Sequence, residues 1–403
     1  MHTGQVPELT SAAPHFFTDP YTAYRALSAE GPVQRVRMPD GQPVWLVLTY
    51  DAVRTALADP RLRNDSRHSA SYQDGQDSAV GRNMLKADPP DHTRLRSLVA
   101  RQFTARRVNQ LRARIEQISG ELIDTMAESS GADLVGAYAI PLPITAICEL
   151  LGVPAVDREA FLGWSNKLVD VADPQAAAVA ATATAAMTDY LTGLIEEKRH
   201  RPLADDADLL HVLAHAQDED SDRLSPDELL GMSFLLLVAG HETTVNLVSS
   251  AVHLLLRNPA QLAALRADPG LLQNTVEETL RYEPPIQVAA YRYTAEAMTL
   301  ADTAIPQGER VVLSLASANR DPSRFTDPDR FDIHRDITEN RAQLAFSHGI
   351  HHCLGAQLAR LEATVALTDL LQRFPRLALE DDAAAPQWRP SLLRGLRSLP
   401  LRW

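Results

Sequence analysis

The chain has 403 residues, 45% hydrophobic and 23% charged, an ordinary globular composition with ample length for a large core. Its 39 Lys and Arg against 52 Asp and Glu give a net charge of −13, which argues against nucleic acid or an anionic membrane as a partner of the whole molecule. Two cysteines, Cys148 and Cys353, allow one bridge at most and exclude a disulfide scaffold. At the N-terminus, "MHTGQVPELTSAAPHFF" lacks a basic start followed by an apolar run, so no signal peptide is expected. "VQRVRM" and "PVWLVLT" flank the turn "PDGQ" (39–42) and read as a hairpin. Residues 61–91, rich in Ser, Asp and Gly, form the main irregular stretch, and loops of that length are usually functional or disordered. Apolar residues recur every three or four positions over 110–128, 174–199, 260–268, 271–282 and 356–374, which predicts helices there. Cys148, in the apolar run "ITAICELLG", reads as a core residue, leaving Cys353 a free thiol that suits a reducing cytoplasm.

Residues 229–256, "LLGMSFLLLVAGHETTVNLVSSAVHLLL", are long and mostly apolar, but His241, Glu242, Thr243, Thr244 and Asn246 sit at their middle. A carboxylate at a bilayer centre costs about 2.5–3.5 kcal/mol, so the stretch reads as a long helix through the core of a soluble protein. "ERVVLSL" (309–315), after the turn "IPQG" (305–308), predicts another strand. The shorter connections 200–208 and 379–390 read as surface loops. No internal repeat and no Pro- or Gly-rich linker divides the chain. The expectation is a mainly α protein with small β-sheets, forming a single domain over 1–403.

The stretch "FSHGIHHCLG" (346–355) holds three histidines and one cysteine. A structural zinc site wants four ligands, typically in spaced pairs. His351, His352 and Cys353 are adjacent, so they cannot all converge on one tetrahedral ion, and no second pair follows. A single thiolate can instead hold haem iron axially. Cys353 stands just before a helix predicted to begin near Gly355, where free N–H groups and the positive helix end favour an ionised thiol. Gly349 and Gly355 allow backbone to approach a flat group, and Phe346 offers an aromatic shield. The alternative is a glycine turn that happens to contain a thiol.

The pattern F-x-x-G-x-H-x-C-x-G resembles the haem loop of the cytochrome P450 superfamily, specifically its soluble bacterial members. "DPYTAYRAL" (19–27), "WLVLTYDAVRTALADPRL" (45–62), "ADPPDHTRLRSLVARQFT" (87–104), "AGHETT" (239–244), "EETLR" (277–281), "ANRDP" (318–322) and "RGLRSLP" (394–400) fall in that family's order and spacing. The resemblance implies the cytochrome P450 fold, with haem b between the long central helix and the Cys-loop helix and Cys353 as the metal ligand. It implies that Thr243 hydrogen-bonds bound O2, that Glu242 relays protons, and that Ala239 and Gly240 leave room beside the iron. A Thr hydroxyl bonding back to a carbonyl one turn earlier would also open the helix there. His92, Arg96, Arg292 and His351 match the cations that meet the haem propionates. Glu278 and Arg281 match a buried structural ion pair, completed here by Arg330 from "FTDPDRFD". Family members have Gly where this chain has Ser347, and often His where it has Gln343; Ser347 is expected to keep the turn with a negative φ. His241, His348 and His352 are given no role.

The implied activity is that of a monooxygenase inserting one oxygen of O2 into an apolar organic molecule, by hydroxylation or epoxidation. Relatives of this type often tailor polyketides, macrolides or terpenoids in secondary metabolism, including antibiotic biosynthesis. The competing reading is a haem sensor or carrier without turnover, against which the intact "GHETT" argues. Met84, Leu85, Leu168, Leu236, Val288 and Leu393 are candidate pocket lining, with Ala239. The chain has no G-x-G-x-x-G fingerprint in a βαβ unit and no iron–sulfur cysteine cluster, so electrons from NAD(P)H must arrive through partners. The resemblance implies a ferredoxin and a ferredoxin reductase, serving a cytoplasmic monomer. Residues 96–114 carry six arginines and no acid, and with Arg360 they suggest a basic dock centred on Arg106, Arg107 and Arg112.

Overall fold

The computed structural model describes Glu8, Leu9 and residues 15–39, 41–73, 78–169, 176–203, 207–215 and 224–403. The chain divides into two units, Met1–Gln76 with Glu277–Cys353, and Asp77–Val276 with Leu354–Trp403.

The first unit is built on the predicted hairpin. Val33–Arg37 and Pro43–Val47 pair antiparallel, with Arg35 opposite Trp45. Gly41 takes φ +79 in the turn, a conformation that costs glycine nothing, and Met38 N–H closes the turn on the Gln42 carbonyl at 2.9 Å. The second strand runs parallel to Arg310–Leu313, the strand predicted from "ERVVLSL". Arg292–Thr294 and then Leu62–Arg63 complete a five-stranded sheet. The helix Tyr50–Ala58 packs Val53, Ala56 and Leu57 into one apolar cluster with Val311, Leu313 and Phe325. A smaller hairpin joins Met298–Leu300 to Thr303–Ile305.

The second unit is helical. Its longest element, Pro226–Arg257, spans 32 residues. Ser225 and Glu228 form a reciprocal capping box at its start, with Pro226 in the first turn, so sequence and geometry agree on where it begins. The helix is long and apolar enough to cross a membrane, but 72% of its most apolar window is buried inside the protein, as in a core helix. Around it stand Asp91–Ala100, Ala105–Gln110, Arg112–Met126, Pro141–Leu151, Arg158–Val169, Ala176–Arg199 and Ala356–Arg373. The predicted helices therefore exist, with ends shifted by one or two residues. Residues 174 and 175, at the start of the predicted 174–199 helix, lie outside the described residues. The stretch 61–91 contains the strand Leu62–Arg63 and short 3-10 turns at Ser66–His68 and Ala79–Gly81, with 74–77 outside the described residues. Gly231 lets that segment lie against the long helix, since a β-carbon there would sit 2.5 Å from the Arg82 carbonyl oxygen. A three-stranded sheet of Gly131–Asp133, Pro400–Arg402 and Ala378–Leu379 closes the unit.

Candidate functional site

Two backbone hydrogen bonds shape the loop that ends at Cys353. Ser347 N–H donates to the Leu344 carbonyl at 2.8 Å, and Cys353 N–H donates to the Phe346 carbonyl at 2.8 Å. Gly349 has φ +73, and a β-carbon would lie 2.9 Å from the Leu57 carbonyl oxygen, so both conformation and contact demand glycine. Ser347 corrects an expectation. Its φ is +64, in the left-handed region, just past the turn closed by its N–H on the Leu344 carbonyl. Gln343 is buried; its Oε1 accepts the Ala345 N–H at 2.6 Å and its Nε2 donates to Glu277 at 3.2 Å. Cys353 at the end of this loop is exposed and outside any disulfide, three residues ahead of the helix Ala356–Arg373. Cys148 is buried as predicted, and burial pushes its thiol up to about 12. Among the described residues no three His, Cys, Asp or Glu side chains gather as a metal cluster.

The unit that holds this loop also holds a saturated ion network. Arg281 is fully buried and grips Glu278 through Nε at 2.7 Å and Nη2 at 2.8 Å. Its remaining N–H groups donate to the carbonyls of Asn319, Pro328 and Arg330 at 2.8–3.0 Å. The arginine completing the pair is Arg335, not Arg330. Arg335 is 8% exposed and donates from Nε to Glu278 Oε2 at 3.2 Å, whereas the Arg330 side chain is 65% exposed and faces Asp332 at 3.7 Å. Spacing could not separate the two, since Arg330 contributes its backbone to the same network and both arginines flank the same turn.

On the long helix, the "AGHETT" turn holds three different polar situations. Thr243 Oγ1 donates to the Ala239 carbonyl at 3.0 Å, yet the helix runs unbroken through Arg257, so the expected opening is absent. One such bond bends a helix without breaking its ladder. Glu242 is buried and accepts from Arg389 Nη1 at 2.6 Å. Thr244 is buried and hydrogen-bonds Glu362, whose carboxyl burial pushes up to about 8. Glu362 Oε2 has no hydrogen-bond partner. His241 is buried too, with Nδ1 at 2.8 Å from the Leu237 carbonyl and Nε2 at 2.9 Å from Ser165 Oγ. Sequence reasoning missed Arg389, Glu362 and Ser165. Glu362 carried the signal used for Glu242, an acid inside an apolar helical run; Arg389 and Ser165, 147 and 76 residues from their partners, carried none. Gly240 has a packing reason: a β-carbon would lie 3.0 Å from the Ile147 side chain on the helix Pro141–Leu151.

The remaining residues fit a flat, dianionic, iron-bearing group. Ala239 is exposed and Thr243 half-buried in the middle of an otherwise buried helix, which leaves one stripe of that helix open to a ligand. Gly355 has φ −82 and nothing within 4 Å of a β-carbon, so neither backbone nor protein neighbours require glycine; a β-carbon would only fill open space. His92 is buried and shares one face of Asp91–Ala100 with the half-buried Arg96, four residues on. Arg292 is buried on its strand, with Nη1 on Asn64 Oδ1, and His351 is half-buried in the short turn Gly349–His351. A donor set of one thiol with guanidinium and imidazole groups matches haem iron and carboxylates.

Of the candidate lining residues, Met84, Leu168 and Leu236 share one apolar cluster of the second unit. Leu85 is 37% exposed, and Leu393 lies in the C-terminal loop with its N–H on Ser391 Oγ. Val288 is buried in the first unit, bridging Ser314. The arginine-rich run lines a half-open groove of about 770 Å³, walled by Arg106, Arg107 and Arg114 over Ile115, Ile118 and Leu358. Arg114 is committed to Glu149 at 2.7 Å, while Arg106, Arg107 and Arg112 are exposed.

Comparison with known proteins identifies relatives. A family model described as Cytochrome P450 matches residues 165–395. Cytochrome P450 monooxygenase PikC of Streptomyces venezuelae is 51% identical over 99% of this chain and 94% of its own length. The 6-deoxyerythronolide B hydroxylase of Saccharopolyspora erythraea is 42% identical, covering 98% of each chain. The tirandamycin C-bound structure of the P450 monooxygenase TamI superposes with a TM-score of 0.89 at 46% identity, covering 98% of this chain and 99% of that one.

Proposed function

The chain belongs to the cytochrome P450 family, and from that premise we propose how its own residues divide the work of a haem-thiolate monooxygenase. The enzyme inserts one oxygen atom of O2 into an organic substrate, using haem b and electrons from NAD(P)H delivered by separate redox partners. Haem b, when bound, supplies the iron at which O2 is activated. Cys353 holds that iron, its loop fixed by the Phe346 carbonyl and by Gly349. His92, Arg96, Arg292 and His351 hold the propionates. Ala239 keeps the open stripe of the long helix small, Gly240 sets that helix close to Ile147, and Gly355 leaves the Cys-loop side unobstructed. Thr243 Oγ1 holds a proton on the Ala239 carbonyl and can turn it toward a ligand. Glu242 takes protons from the solvent side, where its hydrogen bond with Arg389 holds the carboxyl in place. Glu278, Arg281 and Arg335 do no chemistry; they fix the turn that leads into the Cys353 loop. The whole chain acts as one domain.

The observation that carries this reading is Cys353: an exposed cysteine outside any disulfide, in a backbone-pinned loop shortly ahead of a helix. The ferrous–CO spectrum tests it. The native protein is expected to show the red-shifted thiolate band, Cys353→His to show that of an ordinary histidine haem, and Thr243→Ala to keep the native band while diverting electrons to peroxide. A red-shifted band in Cys353→His would remove Cys353 from the iron.

For substrate, we place the enzyme among tailoring hydroxylases or epoxidases of polyketide, macrolide or terpenoid type, in secondary metabolism such as antibiotic biosynthesis. The names of its relatives, 6-deoxyerythronolide B hydroxylase and a tirandamycin C-bound monooxygenase, support a bulky apolar substrate. Met84, Leu168 and Leu236, with Leu85, Val288 and Leu393, would line its site. A ferredoxin with its reductase is the proposed electron source, docking on Arg106, Arg107, Arg112 and Arg360. Neutralising Arg106, Arg107 and Arg112 together should flatten the salt dependence of reduction; an unchanged salt slope would sink this dock. A cytoplasmic monomer suits two cysteines that form no disulfide.

A further inference from the structure

His241 is the most constrained side chain of the "AGHETT" turn, and the reading above leaves it without work. Its ring is 2% exposed and both nitrogens are engaged. A carbonyl only accepts, so the 2.8 Å contact to Leu237 fixes the hydrogen on Nδ1. Nε2 is then a bare acceptor, and the Ser165 hydroxyl, 1% exposed on Arg158–Val169, donates to it at 2.9 Å. The same Nε2 lies 3.8 Å from Glu242 Oε2, whose other oxygen accepts from Arg389. The charged groups facing His241 are thus Glu242 on its own helix and Arg389 from the C-terminal loop; Arg158–Val169 presents the neutral Ser165.

We propose that Ser165 and His241 form a positioning pair for Glu242: the serine hydroxyl locks the imidazole in its neutral Nδ1–H form, so that the carboxylate is left to Arg389 alone. Without that hydroxyl, Nε2 would pick up a proton and compete with Arg389 for the carboxylate one residue away. The choice between an arginine at the 20% exposed end of the site and a buried imidazolium decides whether Glu242 exchanges protons with solvent. Burial acts in the same direction, pushing the His241 pKa down, with the Leu237 carbonyl and Glu242 pulling it up and Arg389 pushing it down again. This role rests on the reading of Glu242 as the proton-handling acid.

The test uses the haem-loaded full chain as its diamagnetic ferrous–CO form, with histidine-labelled NMR, and peroxide release driven by NADPH through a surrogate ferredoxin and reductase. In the native protein the His241 resonances are expected not to titrate between about pH 5 and 8, where histidines ordinarily change charge, and peroxide release to be flat with pH. Ser165→Ala should make His241 titrate within that window and change peroxide release about tenfold across it, the worth of one buried hydrogen bond. Ser165→Thr, which keeps the hydroxyl, should restore native behaviour in both, which a merely structural role for the pair does not require. An unshifted His241 titration in Ser165→Ala overturns the lock, and a new titration with flat peroxide release overturns the positioning role. Glu242→Gln separates the premise: if peroxide release matches the native protein, the Glu242 reading fails and the positioning role falls with it, while the NMR result still decides the lock.

Discussion

Two buried polar clusters in this molecule contrast sharply. Around Glu278 every polar atom is spent: the carboxylate takes both ends of Arg281, the Arg335 Nε and the Asp332 N–H, and Arg281 uses all its donors. Around Glu242 the bonds are incomplete or reassignable. Thr243 holds only a back-bond to its own helix, Glu362 keeps one oxygen without a partner, and Arg389 is partly open to solvent. A buried charge with every bond filled has nothing left to exchange and can only hold structure. Polar groups left partly unsatisfied cost stability and persist where something must bind or a proton must move.

The largest effect should come from the filled cluster. Arg281→Ala strands Glu278 in a fully buried site and is expected to cost about 3–5 kcal/mol, enough to leave little folded holoprotein. Arg335→Ala should cost about 2 kcal/mol, because Glu278 keeps its bidentate partner. Arg330→Ala, which leaves the contributing carbonyl in place, should stay within about 0.5 kcal/mol. Denaturant midpoints check the order; equal losses at Arg330 and Arg335 would restore the sequence-based assignment.

The open cluster should instead respond to pH. Burial raises Glu362 from the ordinary 4.5 to about 8, with its bond to Thr244 opposing. The folded state then holds a proton that the unfolded chain has released. Its contribution is complete below the ordinary carboxyl pKa and is lost as pH rises through about 8, by about 1.4 kcal/mol for each pH unit in between. Glu362→Gln cannot ionise, so its stability should fall less than that of the native protein between about pH 5 and 9, a gap of a few kcal/mol at the alkaline end. Melting curves of the holoprotein that shift in parallel across this range would show that Glu362 is not the buried acid described here.

The same contrast explains what the sequence could reveal. Apolar periodicity and the long apolar run 229–256 located the helices because each carries its signal locally, whereas the capping box of Ser225 and Glu228 was not read from the sequence. Cys353, Thr243, Glu242 and the Glu278–Arg281 spacing were legible because their motifs are short and lie on one element. Partners brought in by folding were not: Arg335 was confused with Arg330, and Arg389 and Ser165 sit in segments whose own patterns are unremarkable. Gly240 was read as room for a ligand, though its packing on Ile147 depends on a helix crossing that no local pattern encodes. Ser347 was legible as a departure but not in its conformation: its φ of +64 is one that serine rarely adopts, so the residue type pointed the other way.

That residue offers the smallest and most local effect. A non-glycine residue in the left-handed region carries a strain of about 1–2 kcal/mol, and Ser347→Gly would release it. Glycine also gains freedom in the unfolded chain, which offsets about 0.5–1 kcal/mol of that release. The net should be a stabilisation of about 0.5 kcal/mol, about 1 °C in the melting midpoint. Two positions on, Gly349 shares the positive φ but also has the Leu57 carbonyl where a β-carbon would go. Gly349→Ser should therefore destabilise by about 2 kcal/mol or more, since strain and collision add with no compensating contact. If Ser347→Gly lowered the midpoint, the serine would be making a favourable contact through its side chain that outweighs its backbone strain.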